Sequence, residues 1–244
     1  MFNIIIMSLE IPKIIHQTWK KKNDLPEPIL KSINKWKILN NDFEHKFYDD
    51  NDCKKFIKKY FGEEVSICFD ILIPGAFKAD LFRYCVLYIE GGVYADVDTE
   101  PIKSLSNLIN KKNIDFLSVK EKNNIPGIYQ AFIACKPKIN FLKNIIDQIV
   151  INVKNKFYPK LSKYKNPWIG VLSITGPVLL YRIINDFNKD NKIKLMNFSE
   201  DKKYIVDFEG NNFIKIRVDG YDKVFESYFK KVKLKKLYLK NIKI

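Results

Sequence analysis

Two kinds of apolar pattern alternate along the first two-thirds of the chain. One is the short, nearly unbroken run. Residues 11–19 (IPKIIHQTW), 115–119 (DFLSV) and 128–135 (IYQAFIAC) are rich in β-branched and aromatic side chains and predict buried strands. Residues 43–50 (FEHKFYDD) alternate as a strand does. The other pattern is helical spacing. Residues 25–40 begin with prolines suited to a first turn, and Ile29, Ile33, Trp36 and Leu39 then recur on one face. Residues 50–61 predict a short helix, and 139–153 another. The clearest helix covers 74–92, where Phe82, Val86 and Ile89 form a stripe that Gly91 and Gly92 terminate. A three-residue strand (VYA) follows and ends at Asp96 and Asp98. Thr175 as a cap and Pro177 in the first turn predict a helix over 175–187. Short strands near 193–198 and 213–218 lead to a lysine-rich end. This alternation predicts one α/β domain, Rossmann-like, with a mostly parallel sheet flanked by helices. Ligands of such sheets sit beyond the carboxyl ends of the strands, where Asp96 and Asp98 fall.

Composition narrows the class. A hydrophobic fraction of 46% and an aromatic fraction of 14% belong to a folded domain, and 244 residues suffice for a sizeable core. No run approaches the ~18 apolar residues that span a bilayer. The first ten residues lack a basic leader region, so the expected location is cytosolic, or peripheral on a membrane or viral factory. Cys53, Cys68, Cys85 and Cys135 are widely spaced and predict four reduced, buried thiols. The net charge of +15 suggests nucleic acid, but the excess is lysine scattered among asparagine and isoleucine. Only Arg83, Arg182 and Arg217 are arginine, the residue best suited to bidentate phosphate and base contacts, so no nucleic-acid partner is expected. The C-terminal KKVKLKKLYLKNIKI mixes lysine with leucine and is a candidate for peripheral membrane contact, or for plain packing of a last element.

Asp96 and Asp98 decide the function. As solvated turn residues they carry no chemistry. As a DxDxT phosphohydrolase motif, Asp96 would be a nucleophile and Asp98 an acid/base, but such motifs open a chain and this one lies past residue 90. As a divalent-cation site they explain why a basic protein sets two acids side by side: Mg²⁺ and Mn²⁺ take one or two carboxylates together with phosphate oxygens. On an extended segment, residues two apart point the same way, so both carboxylates could face one ion.

IPKIIHQTWK, ADLFRYCVLYIEGGVYADVDTEPIKSL and TGPVLL, in that order, resemble the DxD-containing glycosyltransferases with a sugar-binding region. This is the family of yeast initiating α-1,6-mannosyltransferases and bacterial capsular sugar transferases, with glucosylating clostridial toxins more distant. The middle block matches without a gap from Ala79 to Glu100. The similarity spans about 11–180 and leaves 181–244 poorly matched. It implies a GT-A fold across one catalytic domain, 1–244, and a nucleotide-sugar donor, GDP-mannose or a UDP-hexose. It also implies Mn²⁺ or Mg²⁺ and transfer of a hexose, with retained configuration, to a hydroxyl of a glycan, glycoprotein or glycolipid.

The resemblance also carries roles onto residues. Asp98 matches the direct metal ligand, and Asp96 the residue that reaches donor and metal. Asp80 and Arg83 match the pair that holds the sugar hydroxyls and the diphosphate edge. Tyr94 matches a tyrosine lining the donor pocket, and Trp19 the ring that stacks on the base. Gln130 is a candidate acceptor contact, and Thr175 with Gly176 opens a helix facing sugar or phosphate. Related chains carry a histidine and a Ser-Trp pair near the C-terminus. The nearest echo is DGYDKVFESYF (219–229), which makes Asp222 and Ser227 the candidate third metal ligands. His16, beside Trp19, is expected to be structural.

Overall fold

The computed structural model describes residues 10–109, 113–122, 124–188, 191–219 and 236–239. In chain order the elements are β1 (Ile14–Thr18), α1 (Glu27–Leu39), β2 (Glu44–Tyr48), α2 (Asp50–Ile71), α3 (Gly75–Glu90) and β3 (Gly92–Ala95). They continue with β4 (Glu100–Pro101), α4 (Ser106–Ile109), β5 (Phe116–Lys120), β6 (Ile128–Cys135) and α5 (Asn140–Lys154). A 3₁₀ turn (Leu161–Lys163) precedes α6 (Pro167–Leu172) and α7 (Pro177–Phe187). The strands β7 (Ile193–Phe198), β8 (Tyr204–Val206) and β9 (Asn212–Lys215) follow.

The expected α/β layering is present. The nine strands order as β2-β1-β3-β6-β5-β7-β8-β9-β4. The sheet is mixed rather than mostly parallel: β1 runs parallel to β2 and β3, and β5 to β7, while β3–β6, β5–β6, β7–β8, β8–β9 and β4–β9 are antiparallel. Connection length is the reason. β5 reaches β6, β7 reaches β8 and β8 reaches β9 through links too short for a crossover, so each returns antiparallel. Central strands alternate between two buried faces. Tyr94, Phe116, Ile133 and Cys135 belong to the core under α2, α3, α5 and α7. Their neighbours Val93, Ala95, Leu117, Phe132 and Ala134 belong to a second core that includes Trp36 of α1.

Other expectations shift in detail. The short helix expected over 50–61 is present; Gly62, with a non-helical φ of 83°, kinks the chain there, and a second helical stretch runs on to Ile71. Asp49 starts the first stretch with a capping box to Asp52. Gly91 and Gly92 end α3 as expected. Their φ values are 66° and 87°, and a Cβ on Gly92 would sit 2.6 Å from the Ile14 carbonyl oxygen, so β3 can approach β1 only with glycine there. All four cysteines are buried free thiols. Of the basic C-terminal segment only 236–239 is described: Leu237 and Tyr238 are buried, and Tyr238 bridges to Leu72 at the end of α2. No helix among the described residues is long and apolar enough to cross a membrane.

His16 is structural. Fully buried on β1, it places Nε2 3.0 Å from the Gly91 carbonyl oxygen and Nδ1 3.3 Å from the Tyr48 hydroxyl. A carbonyl only accepts, so Nε2 carries the proton and Nδ1 accepts from Tyr48. Burial drives its pKa down from 6.5 to about 3, with Lys46 and His45 adding to the effect. The unfolded chain therefore binds a proton that the fold refuses, and stability falls as pH drops from 6.5 toward 3. Between pH 7 and 4.5 this site should cost about 2–3 kcal/mol. Urea unfolding of wild type and His16→Gln at both pH values measures it; an equal loss in both proteins would contradict the assignment.

Candidate active site

The site begins with how the chain holds one turn. After β3, residues 96–99 reverse direction: the Thr99 amide donates to the Asp96 carbonyl at 3.0 Å and the Thr99 hydroxyl to the same oxygen at 2.6 Å. Asp96 and Asp98 therefore stand on a turn, not on the extended segment the sequence suggested. Thr99, which would be the threonine of a DxDxT motif, is fully buried and committed to the backbone. Helix α1 fixes the turn from beneath. Ser32 Oγ and Trp36 Nε1 both donate to the Thr99 carbonyl, at 2.5 and 2.8 Å. Val97 points back into a small cluster with Ile29, Ile33 and Val218. From the other side, the Val218 amide donates to the Asp98 carbonyl at 2.8 Å, tying the chain after β9 to the turn.

Helix α3 supplies the partner groups. Asp80 and Arg83 lie one turn apart and are only 7% and 4% exposed, so they are not a surface ion pair. Arg83 Nη2 stands 3.1 Å from Asp96 Oδ1 and 3.4 Å from Asp80 Oδ1. Its Nε donates to the Ala79 carbonyl at 3.3 Å, and its guanidinium lies over the Tyr94 ring at 4.6 Å. The Thr175 hydroxyl donates to Asp80 Oδ2 at 2.6 Å. Beyond it, Tyr84 donates to the Thr175 carbonyl at 3.4 Å, and Gln130 Nε2 donates to the Tyr84 hydroxyl. One buried polar chain thus runs from the turn through α3 to the start of α7 and to β6.

Electrostatics follow from this burial. Asp80 is pushed up to about 6 by desolvation, against the pull of Arg83 and the Thr175 hydrogen bond. Burial disfavours the charge on Arg83, but Asp96, Tyr94 and Asp80 outweigh it and hold the group cationic. Asp98 is pushed up to about 7, first by burial and then by the neighbouring Asp96, with Arg217 opposing. Two carboxylates with one of them reluctant to ionise is the state that a cation would relieve. Among the described residues no cluster of three His, Cys, Asp or Glu side chains could hold a metal. Asp96 and Asp98 alone fit a hard divalent ion whose other ligands are phosphate oxygens and water.

Asp80, Arg83, Asp96 and Asp98 all line one cleft of about 750 Å³, together with Gln130 and Gly176. Thr175 does not cap α7, since its hydroxyl donates to Asp80; the N-cap is Gly176, which has no side chain to make a capping bond. Tyr94 lies under the guanidinium and is 1% exposed, a support rather than a wall. Trp19 is not among the cleft-lining residues; it packs behind the turn on the cluster holding Val97, its Nε1 donating to the Asp24 carbonyl at 2.7 Å. Asp222 and Ser227 lie outside the described residues. The cleft also contains groups the sequence did not single out: Arg217 and Lys203 on the β8–β9 side, Glu121 at the end of β5, Tyr129 on β6, and Trp168 on α6.

Residues 26–115 match the family described as "Glycosyltransferase sugar-binding region containing DXD motif". The matched stretch is 90 of the 244 residues. It contains α1, the whole of α3 and the Asp96–Asp98 turn, the parts that build the carboxylate–arginine cluster. The initiation-specific α-1,6-mannosyltransferase of Candida albicans is 32% identical over 126 residues, covering 50% of this chain and 32% of the relative. A protein of Acanthamoeba polyphaga mimivirus, named an uncharacterized glycosyltransferase, is 28% identical over 196 residues, covering 80% of this chain and 72% of its own. This chain thus spans about a third of the length of the yeast mannosyltransferase it matches. Among solved structures, the PaToxG glycosyltransferase superposes with a TM-score of 0.56 at 19% identity, covering 72% of this chain and 70% of that one. The shared fold is the GT-A type.

Proposed function

We propose that this protein is a glycosyltransferase that moves a hexose, mannose foremost, from a nucleotide sugar to a hydroxyl of a glycan, glycoprotein or glycolipid, with retained configuration and a divalent metal. The observation that carries this reading is the chain of buried Asp80 and Arg83 and half-buried Asp96 beside Asp98, lining the cleft and inside the matched DXD region. The mannose preference rests on the yeast relative, and GDP-mannose is accordingly the first donor to test, with UDP-hexoses second.

In this reading Asp98, assisted by Asp96, would hold Mn²⁺ or Mg²⁺, which offsets diphosphate charge when bound. The chain's own residues do the rest. Arg83 keeps Asp96 in place and contributes a fixed positive charge on the side where the leaving diphosphate grows negative. Asp80, locked by Thr175, offers carboxylate oxygen to the hydroxyls of the donor sugar. Lys203 and Arg217, which line the same cleft, add positive potential for the diphosphate. Chemistry here consists of positioning and charge stabilisation, with the cleft limiting water so that transfer outpaces hydrolysis.

Calorimetric titration tests it: GDP-mannose, UDP-hexoses and the free nucleotides, each with Mn²⁺ or chelator, against wild type and Asp98→Ala. The expected result is metal-dependent binding of one nucleotide, weakened about 100-fold or more by the substitution, as loss of a metal ligand predicts. If no nucleotide binds under any metal condition, the protein is not a transferase of this kind.

A further inference from the structure

Strand β6 breaks its own alternation beside the Asp96–Asp98 turn. Ile128 and Ile133, five residues apart, both pack in the core under α3 and α5, while Tyr129 and Phe132, three apart, both pack in the other core. Odd spacings cannot share a face of a regular strand, whose side chains alternate. The register gives the cause. Val119 of β5 faces Tyr129 and Leu117 faces Ala134, so Ser118 alone stands opposite 130–133, a bulge in β6. Ser118 is fully buried, and its hydroxyl lies 2.7 Å from the Tyr129 carbonyl and 3.0 Å from that of Phe132, pinning the bulge. Along its other edge β6 stays paired: the Ala131 carbonyl accepts the Asp96 amide at 2.9 Å. Tyr129 is thus delivered just past the point where the turn leaves the sheet. Its ring meets Phe198 edge-to-face, with centroids 5.1 Å apart, and it lines the cleft with Asp96, Asp98 and Glu121. Burial first, and then the charges of Asp98, Asp96 and Glu121, hold its phenol well above the ordinary range. No hydrogen bond to this hydroxyl is made among the described residues.

We propose that the Tyr129 hydroxyl donates a hydrogen bond to the diphosphate of the nucleotide sugar, with Ser118 as the residue that positions it through the bulge. This rests on the transferase reading and adds to it one substrate contact and one positioning residue. Donors are what the loaded site needs. A diphosphate only accepts hydrogen bonds, and so does an ionised carboxylate such as Asp96, Asp98 or Glu121. A metal on Asp98 meets some of the phosphate oxygens; the rest require N–H or O–H groups, and the phenol is a donor set among those acids. Its proton stays on through the neutral range, so it never adds a negative charge beside the turn. A further cation at this place would instead be drawn to the carboxylates and compete with the metal for them. Packing on Phe198 and the bond from Ser118 to the Tyr129 carbonyl fix the ring before substrate arrives, the condition for one neutral hydrogen bond to count in a site.

The test titrates wild type, Tyr129→Phe, Ser118→Ala and the double variant with the nucleotide sugar that binds and with its free nucleoside diphosphate, both with Mn²⁺. Tyr129→Phe keeps the ring and its packing. In it both Kd values should rise by the same factor, about tenfold or more, as loss of one hydrogen bond to a charged group predicts, with urea unfolding unchanged. In Ser118→Ala both should rise about threefold or more, and adding Ser118→Ala to Tyr129→Phe should weaken binding no further. A loss for the nucleotide sugar alone would mean that the phenol meets the sugar, and no loss for either ligand that it meets neither; both results overturn the assignment. Additive losses in the double variant overturn the positioning role of Ser118, because a residue that acts on the fold at large does not need the Tyr129 hydroxyl. Failure of wild type to bind any nucleotide is a separate result that removes the transferase reading, and this contact with it.

Discussion

Arg83→Lys should lower the turnover of sugar transfer by about 10²–10³, the loss typical when one fixed electrostatic group is removed from a site. The same substitution should destabilise the fold by about 2–4 kcal/mol, somewhat less than the about 3–5 kcal/mol for removing one partner of a buried ion pair, because lysine keeps the charge. The two effects share one cause. The guanidinium is nearly inaccessible, yet it reaches Asp80, Asp96 and the Ala79 carbonyl while its carbon stands 4.6 Å from the centre of the Tyr94 ring. A lysine keeps the charge but is a single point on a flexible stem; it cannot bridge two carboxylates from a plane against an aromatic face. Asp96 would then stand beside Asp98 with its partner displaced, and Asp98 would lose the help Arg83 gives its charged form. Turnover at saturating donor and urea unfolding at pH 7.5 read the two effects. Near-wild-type values in both would mean that any cation on α3 suffices and that the planar geometry is incidental.

The middle of the molecule was legible because its signals are local. Unbroken apolar runs gave β1, β5 and β6, helical spacing with a double-glycine stop gave α3, and the Ala79–Glu100 block gave the four residues that meet in the cleft. What was not legible depends on contacts far apart in sequence. A threonine before Gly-Pro reads as a helix cap; only the fold shows its hydroxyl bonded to an aspartate 95 residues earlier. The hairpins that make the sheet mixed lack Asn-Gly or Asp-Gly at their tips, so period and turn chemistry gave no warning. Arg217 and Lys203 look like two more cations in a chain of scattered lysines, and they acquire meaning because the segment after β9 hydrogen-bonds the back of the Asp98 turn. Trp168 sits in a six-residue helix, too short for periodicity to mark it. The turn itself was misjudged as extended because D-x-D is compatible with both, and the deciding groups, Ser32 and Trp36, lie on another element.

Asp80→Asn should separate activity from stability in opposite directions. Within the fold Asp80 keeps its proton up to about pH 6, against an ordinary value of 3.8. The native state therefore binds this proton more tightly than the unfolded chain. Stability from this site is greatest at low pH and declines as pH rises from 3.8 to 6, leaving a penalty on the ionised form above that. Two units correspond to about 3 kcal/mol as an upper figure, and the lost attraction to Arg83 reduces what removing the charge can recover. The asparagine variant should thus be more stable than wild type by about 1–2 kcal/mol at pH 7.5, with the difference fading near pH 4. Its amide can still accept from Thr175, so the α3–α7 link survives. Transfer should nevertheless fall about 100-fold, because an amide accepts sugar hydroxyls more weakly than a carboxylate. A buried charge kept at a cost to stability is what a binding site requires and a structural ion pair does not. If the variant proves less stable than wild type at pH 7.5, Asp80 holds the fold together through Arg83, and its cost to the native state would have to be abandoned as a sign of function. If stability rises and transfer is untouched, the carboxylate does not meet the donor sugar.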